Sequence, residues 1–233
     1  MKISISGYVQ KALKRFLGTQ IPDRVYADGA GENRKAVEGL GIPFDSSTPC
    51  RSQSNGVAER AVRKVEEGTA CVLAQSGFDM SWWPEASRCY CFLHCVSTIQ
   101  SNGSTAYETR FGAPFAGPRY RFGCAVNYRP SNEEDQHRLH SFEGRMLPGL
   151  FVGYYQEVGG GWNGNLFVVD VEKLMKHHHP SHVPVARVKW KEVIPVKGDH
   201  FVFPFASGHI TQPRIPRPDA ASSSSRGSSW SEQ

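Results

Sequence analysis

The chain has 233 residues, of which 39% are hydrophobic, and its net charge is +5. This length suggests one or two domains with a hydrophobic core. The opening "MKISISGYVQ" lacks the apolar segment of a secretory signal, and the longest apolar stretch is too short and too polar to span a bilayer. Three of the six cysteines crowd one apolar segment, which excludes a secreted disulfide framework. We therefore expect an intracellular protein with reduced thiols and no membrane association.

The excess positive charge lies in the C-terminal part of the chain. Residues 1–172 contain 18 basic and 18 acidic side chains, whereas residues 173–233 contain 9 basic and 4 acidic ones. A basic end suits a polyanionic partner, and the alternative is a solvated tail.

The first half of the chain is predicted to alternate helices with short strands. Apolar residues recur at helical spacing in residues 6–18, and "DRVYAD" indicates a strand that ends at Asp28. In chain order, the predicted elements are a helix over 6–18, a strand over 23–28, a helix over 31–41, a strand and turn over 42–49, a helix over about 55–75 and a buried helix over 79–99. The helix at 55–75 has Asn55 as its expected cap and a predicted buried stripe of Val57, Ala61, Val65, Thr69 and Val72.

The pattern changes after residue 118. Strand-like segments occupy residues 120–130, 149–157, 165–172 and 185–193, and "NG" at 163–164 is a hairpin signal. Short strands at this spacing predict a small β-barrel over 119–205. Residues 206–233 are rich in Ser, Pro and Arg, so we expect a disordered tail.

Two carboxylates are placed where a strand end and a helix start could meet. Asp28 ends a predicted strand, and Glu59 lies in the first turn of a predicted helix. Neighbouring carboxylates repel one another unless a cation lies between them, and Mg²⁺ takes carboxylate oxygens while leaving positions for phosphate. The alternative is an ordinary pair of surface carboxylates.

The sequence around these residues resembles a known family. "YADGAGE", followed by "GIPFDSSTPCRSQSNGVAERAVRKV", is similar to the catalytic core of copia-type retrotransposon integrases. The resemblance continues downstream through "WWPEA", "TAYETRFGAPF", "FGC" and "GLFVGYY", in the family's order, and covers roughly residues 20–190.

The resemblance implies an α/β fold: a partial ribonuclease-H-like integrase core over residues 1–118, followed by the small β-barrel and the tail. In this DDE-type family, Asp28 and Glu59 match the second and third catalytic carboxylates, which bind Mg²⁺ or Mn²⁺ during DNA strand transfer. DNA is the implied partner, the nucleus is the implied location, and a homo-oligomer is possible for the intact protein. The second hypothesis is a catalytically dead remnant that acts at most as a nucleic-acid-binding module.

Two features of the chain depart from the family pattern. The 30 residues between Asp28 and Glu59 are fewer than is usual in the family. The family's first Asp lies on a strand before the helix that residues 6–18 resemble, and no residue of this sequence matches it. We therefore expect the chain alone not to catalyse strand transfer.

Basic residues on two elements are candidate DNA contacts. In the resembled family, basic residues one turn after the Glu contact DNA, which implicates Arg60, Arg63 and Lys64; the alternative is salt bridging with Glu59, Glu66 or Glu67. In "VARVKWK", alternation predicts Arg187, Lys189 and Lys191 on one face of a strand and Val188 and Trp190 on the other. The alternative is a solvated barrel face.

Two further groups resemble binding sites less closely. His177, His178, His179 and His182 fit no zinc spacing, so a polar surface loop is expected. Cys91 and Cys95 lie one helical turn apart, and core packing is the expected role.

Overall fold

The structure, a computed structural model, describes residues 4–46, 56–139, 145–177, 180–196 and 200–211. The predicted cap Asn55 and residues 212–233 of the predicted tail lie outside these ranges. In chain order, the helices and strands are α1 (Ile5–Leu17), β1 (Val25–Ala27), α2 (Gly31–Glu38), β2 (Phe44–Ser46), α3 (Gly56–Ser76), α4 (Trp83–Ser97), α5 (Ala106–Phe111), β3 (Ala125–Tyr128), α6 (Glu133–Gln136), β4 (Leu147–Gln156), β5 (Trp162–Asp170), α7 (Val171–Lys176), β6 (Val185–Lys189) and β7 (Val193–Pro195). Short 3-10 turns occupy Met80–Trp82, Pro180–His182 and Trp190–Glu192. No helix in the described ranges is long and apolar enough to cross a membrane.

Residues 5–46 form a small unit around two parallel strands. β1 pairs with β2, with Val25 opposite Phe44, and α2 supplies the crossover that a parallel pair requires. α1 packs against α2, where the Gln10 side chain donates a hydrogen bond to the Gly39 carbonyl (2.9 Å). The apolar side chains buried in this unit are Ala36, Val37 and Ile42. The unit therefore adds little to the main hydrophobic core.

α4 forms the centre of that core. Asp79 accepts a hydrogen bond from the Ser81 N–H (2.9 Å) in the 3-10 turn before the helix, and Pro84 lies in the first helical turn, where no N–H is needed. The helix packs between α3 and β4, and Phe92 stacks on Tyr154 with ring centroids 4.4 Å apart. Its buried side chains are Ala86, Cys89, Phe92 and Val96.

The remaining strands form one five-stranded antiparallel sheet in the order β6-β5-β4-β3-β7. β6 and β7 lie at opposite ends of this order, yet only the three-residue turn Trp190–Glu192 connects them. A flat five-stranded sheet would separate its outer strands by about 19 Å, whereas three residues of 3-10 helix span about 6 Å. The sheet is therefore strongly curled, with β6 and β7 brought towards each other.

The predicted mixed α/β class is confirmed, and so are the four main helices and the two short strands of the first half. Helices α5, α6 and α7 and strand β7 were not predicted. The ribonuclease-H-like assignment stays a prediction, because the described residues of the first half contain only one pair of parallel strands.

Elements on both sides of residue 118 share one core, and the predicted division there stays a prediction. α4 lies before this position and β4 after it, and their side chains belong to the same hydrophobic cluster. Beyond the sheet, residues 206–211 form turns in which the Ser207 N–H donates to the Phe203 carbonyl (3.0 Å). These residues, which were predicted to begin the disordered tail, approach Gly77 so closely that no side chain would fit there.

The predicted buried stripe of α3 is correct from Val65 onward, where Val65 is half-buried. Thr69 is buried and Val72 is half-buried. Val57 is 76% exposed and Ala61 is also exposed, because the first turns of α3 extend past the part that packs on α4. The apolar periodicity predicted correctly which face of α3 is buried, but it could not predict how far α4 extends along that face.

A buried network of charges joins β3, α6 and α7. Asp135 and Asp170 are 4% and 2% exposed, and the Arg138 guanidinium donates hydrogen bonds to both carboxylates (3.0 and 3.1 Å). Lys173 Nζ donates to Asp135 (2.8 Å), and the Tyr128 hydroxyl donates to Asp170 (2.9 Å). Burial alone would raise the pKa of Asp135, but the hydrogen bonds from Lys173 and Arg138 outweigh burial and hold this pKa below its usual value.

We expect this network to make stability depend on acid. The pKa of Asp135 is lower in the folded chain than in the unfolded chain, where it is about 3.9. The ionised Asp135 therefore contributes fully to the free energy of unfolding above the unfolded pKa, and this contribution is lost as pH falls through the folded pKa. Asp135→Asn should lower the free energy of unfolding at pH 7 by about 1–3 kcal/mol, because the partly buried Lys173 and Arg138 lose the charged acceptor of a hydrogen bond. Urea denaturation from pH 7 to pH 3 measures both effects. An equal loss of stability with acid in wild type and Asp135→Asn would contradict this role.

Gly68 is expected to set the distance between α3 and α4. A Cβ at this position would lie 2.1 Å from Cζ of Tyr90 on α4. Gly68→Ala should therefore destabilise the wild-type chain by about 1–3 kcal/mol. In a Tyr90→Ala background the same change should stabilise it by about 0.5–1 kcal/mol, through helix propensity alone. Urea denaturation of the four proteins measures this difference, and a stabilisation of equal size in both backgrounds would show that the ring does not restrict the site.

Candidate nucleic-acid interface

The two candidate carboxylates lie on the elements that the sequence predicted. Asp28 directly follows β1, is exposed and accepts a 2.6 Å hydrogen bond from the side-chain amide of Asn33. Glu59 lies in the first turn of α3, is exposed and forms no hydrogen bond or ion pair with another described residue. Residues 47–55, which join β2 to α3, lie outside the described ranges. The convergence of the two carboxylates on one point stays a prediction.

The described residues do not fit a metal centre by themselves. No group of three His, Cys, Asp or Glu side chains within the described part of the chain could hold an ion. One oxygen of Asp28 already accepts the hydrogen bond from Asn33. A two-ion centre carries four positive charges and needs several carboxylates around it. We therefore derive no metal-dependent step from this chain.

The three basic side chains near the start of α3 are exposed. Arg60, Arg63 and Lys64 form no ion pair with another described residue, so the alternative of salt bridging within the helix is not seen. At about 100° per residue, Arg60 and Lys64 lie about 40° apart and form one edge of the helix. Arg63 lies closer to the acidic side chains of the same turns, which are Glu59, Glu66 and Glu67. The edge made by Arg60 and Lys64 is therefore the more cationic part of α3.

The predicted basic stripe of the sheet is correct at two of its three positions. Arg187 and Lys189 are exposed on β6, and Val188 between them is buried. The Arg187 guanidinium lies 3.6 Å from the ring centroid of Tyr155, in a cation–π contact. Lys191 is exposed as well, but it does not share this strand face, because β6 ends at Lys189 and Lys191 belongs to the following 3-10 turn. Its role as a DNA contact stays a prediction. The same turn contains Trp190, which is 37% exposed and so does not face the core as predicted.

A cleft that the sequence did not predict lies beside α3. It encloses about 580 Å³ between Lys64 of α3, the C-terminal half of α4, the segment before β3 and residue 201. We call this the basic cleft. The cationic, imidazole and aromatic side chains that line it are Lys64, Tyr90, His94, Arg119, Arg121 and Phe201. None of the described residues that line it is acidic. Lys64 belongs both to the basic edge of α3 and to this cleft.

The two arginines of the basic cleft are held differently. Arg119 donates long hydrogen bonds to the carbonyls of Val96 (3.4 Å) and Phe115 (3.5 Å), so part of its donor capacity serves the C-terminal end of α4. The Arg121 side chain is exposed and forms no hydrogen bond or ion pair with another described residue. Its guanidinium lies 5.8 Å from the ring centroid of Phe201. Arg121 therefore keeps all its donors available beside an aromatic ring.

The signal for part of this cleft is present in the sequence. In "RYRF" at 119–122, arginines alternate with aromatic residues at the period of a strand. In the structure both arginines are more exposed than Phe122, which is buried, and Tyr120 is half-buried. The contribution of Phe201 had no local signal, because this ring reaches the cleft from another part of the chain.

The remaining candidate groups show no site. His177 is half-buried and His182 lies in a 3-10 turn, while His178 and His179 lie outside the described residues. Cys91 and Cys95 are free thiols, of which Cys91 is half-buried and Cys95 is exposed, so the predicted core packing is wrong for Cys95. Partial burial raises the pKa of each thiol, which disfavours the reactive thiolate.

Comparison with known proteins gives a structural similarity but no match to a protein family. No protein-family model matches the sequence. Among solved structures, a chain in the cryo-electron-microscopy structure of a simian T-cell lymphotropic virus intasome in complex with PP2A regulatory subunit B56 gamma is similar, with a TM-score of 0.37 and 12% sequence identity. The match covers 85% of this chain and 66% of that one, just under two thirds of its length. A TM-score of this size does not define a shared fold.

We expect Glu59 to oppose nucleic-acid binding in the chain as it stands. Its unpaired carboxylate lies on the same turns as Arg60 and Arg63, so Glu59→Gln should strengthen binding of a 20-base-pair DNA duplex about twofold in EDTA, by removing a repulsive charge. Because the described residues do not fit a metal centre, 5 mM Mg²⁺ should leave this gain unchanged. Fluorescence anisotropy measures the duplex affinities of wild type and Glu59→Gln in EDTA and in Mg²⁺.

The control is Glu38→Gln, which removes an exposed carboxylate from the end of α2. It should leave DNA affinity unchanged. If Mg²⁺ strengthened binding by wild type but not by Glu59→Gln, Glu59 would be a metal ligand and this expectation would be wrong.

Proposed function

We propose that the chain is a nucleic-acid-binding segment of an integrase-like protein, of the copia-type retrotransposon family that its sequence resembles. The observation that supports this most is the basic edge of α3, where Arg60 and Lys64 are exposed, unpaired with any described carboxylate and continuous with the basic cleft. Lysine and arginine side chains that are not already paired can replace the counterions of a phosphate backbone.

Two further surfaces support the proposal. Lys189 on β6 is exposed and forms no ion pair with another described residue, and Arg187 beside it is held against Tyr155. The excess positive charge of residues 173–233 would add long-range attraction for DNA. The phosphate backbone is therefore the proposed ligand, and base sequence is not expected to matter for these contacts.

The finer parts of the proposal come from the family resemblance. The unit of β1, α2 and β2 would belong to a ribonuclease-H-like core. In an intact integrase, Asp28 and Glu59 would contribute two of the carboxylates that hold Mg²⁺ or Mn²⁺ for strand transfer in the nucleus, within a homo-oligomer. A chain that provides only these two would act as a nucleic-acid-binding module, which is the alternative function for the same surfaces.

The proposal predicts a specific change in salt dependence. Replacing Arg60, Arg63 and Lys64 together by Gln should weaken binding of a 20-base-pair duplex and reduce the slope of log K against log[salt] by about 0.9 for each phosphate that the variant no longer binds. The variant Arg187→Gln/Lys189→Gln should also weaken duplex binding and reduce the salt slope. Arg187 should contribute less of this change than Lys189, because its guanidinium is already in a cation–π contact with Tyr155. Fluorescence anisotropy from 50 to 200 mM NaCl measures the slopes.

A matched control removes three cations that already have acidic partners. Arg24, Arg88 and Lys176 are ion-paired with Asp45, Glu85 and Glu172, respectively. The triple Gln variant at these positions changes net charge as much as the α3 variant but should leave the salt slope almost unchanged. Equal slopes for the α3 variant and this control would reject the proposed interface.

A further inference from the structure

We propose that the basic cleft binds an unpaired nucleotide of single-stranded nucleic acid, with its phosphate on Lys64 and Arg121 and its base against the aromatic lining. This inference rests on the proposed function and adds a substrate class to it: a single strand or a frayed end, in addition to the duplex backbone. Neither the family resemblance nor the structural comparison assigns this site.

The first argument is the chemistry of the lining. Lys64, Arg119 and Arg121 contribute cations, and no acidic residue lies among the described residues that line the cleft. The other large groove, between α1, β4 and the start of α4, differs in this respect, because Glu85 and Glu157 balance Arg15 and Arg88 there. The basic cleft therefore has a lining whose charge suits an anion.

The second argument is that cations and aromatic rings occur together. The Arg121 guanidinium lies over Phe201, and the Tyr90 ring contacts the His94 ring at a centroid distance of 5.9 Å. Single-stranded nucleic acids are bound by grooves of this composition, in which cations follow the backbone and bases stack on aromatic side chains. A cleft built for phosphate alone would not need the rings.

The third argument is shape. A volume of about 580 Å³ is within the range of small-ligand sites, which makes it large enough for a nucleotide and too small for a duplex. Inside a duplex, the neighbouring base pairs stack on both faces of each base, so an unpaired base is the one that can place its face on a protein ring. The exposed edge of α3 next to the cleft can follow a duplex backbone. The two surfaces together suit a junction between duplex and single strand.

The test compares three fluorescein-labelled probes by anisotropy: the single strand dT12, an abasic 12-mer with the same phosphates, and a 12-base-pair duplex. Wild type should bind dT12 about fivefold or more tightly than the abasic strand, because stacking contributes at least this much per base. Arg121→Gln should weaken dT12 binding about tenfold and lower its salt slope by about 0.7, as expected when one phosphate of a single strand is no longer bound.

A second variant separates stacking from charge. Phe201→Leu should remove the preference for dT12 over the abasic strand, without changing the salt slope or the affinity for the duplex. Because Phe201 also packs against the core, unchanged duplex affinity shows that this variant is folded. Arg88→Gln, which removes an arginine paired with Glu85 outside the cleft, is the charge-matched control and should leave all three affinities unchanged.

The outcomes distinguish this inference from the proposed function. If Arg60→Gln/Arg63→Gln weakens duplex binding but Arg121→Gln binds dT12 as tightly as Arg88→Gln does, the cleft is not a nucleotide site and the proposed function stands. Equal binding of dT12 and the abasic strand by wild type would also overturn the inference. If wild type binds none of the three probes, both proposals are wrong.

Discussion

The burial of α4 between α3 and β4 is the contact on which the rest of the structure depends. Phe92 and Tyr154 stack across this interface, and Trp82 at the start of the helix is 1% exposed. Aromatic side chains bury the largest apolar areas, so this one layer contributes a large share of the hydrophobic stabilisation. Both candidate binding surfaces follow from it, since α4 supports the helix that presents Arg60 and also forms one wall of the basic cleft. Loss of α4 packing would therefore remove the fold and the interface together.

The curl of the sheet is a second constraint, and it explains where the segments around the cleft lie. β7 pairs with β3 at the end of the sheet opposite β6, and the Val196 N–H extends this pairing by donating to the Ala125 carbonyl (3.0 Å). The chain then returns past the same strand, where the Ala125 N–H donates to the carbonyl of Val202 (2.8 Å). This return brings Phe201 next to the segment that carries Arg121. The cleft therefore depends on this return of the chain, and the local alternation at 119–122 supplies only its two arginines.

The sequence predicted the parts of the fold that local periodicity controls. Helices α1 to α4 and strands β1 and β2 were predicted because their apolar spacing and turn residues lie within a few positions of one another. Two predictions failed where tertiary structure overrides the local pattern: Lys191 continues the alternation of β6 but lies in a 3-10 turn, and Val57 continues the stripe of α3 beyond the reach of α4. The basic cleft could not be predicted, because Lys64, Arg121 and Phe201 are far apart in the chain. The two candidate carboxylates lie on the predicted elements, and their meeting stays a prediction.

Net charge proves to be a poor guide to where an anion could bind, and ion pairing explains why. Residues 1–172 have no net charge, yet the basic cleft lies mostly within them. Two of the acidic side chains in residues 1–172, Asp135 and Asp170, are buried against Arg138, so they contribute little negative potential at the protein surface. Field strength at a surface depends on which charges remain unpaired and on how the low-dielectric walls around them exclude water. A concave site with two or three unpaired cations and no carboxylate among its described lining residues therefore suits an anion better than α3 alone, whose first turns carry as many glutamates as basic residues.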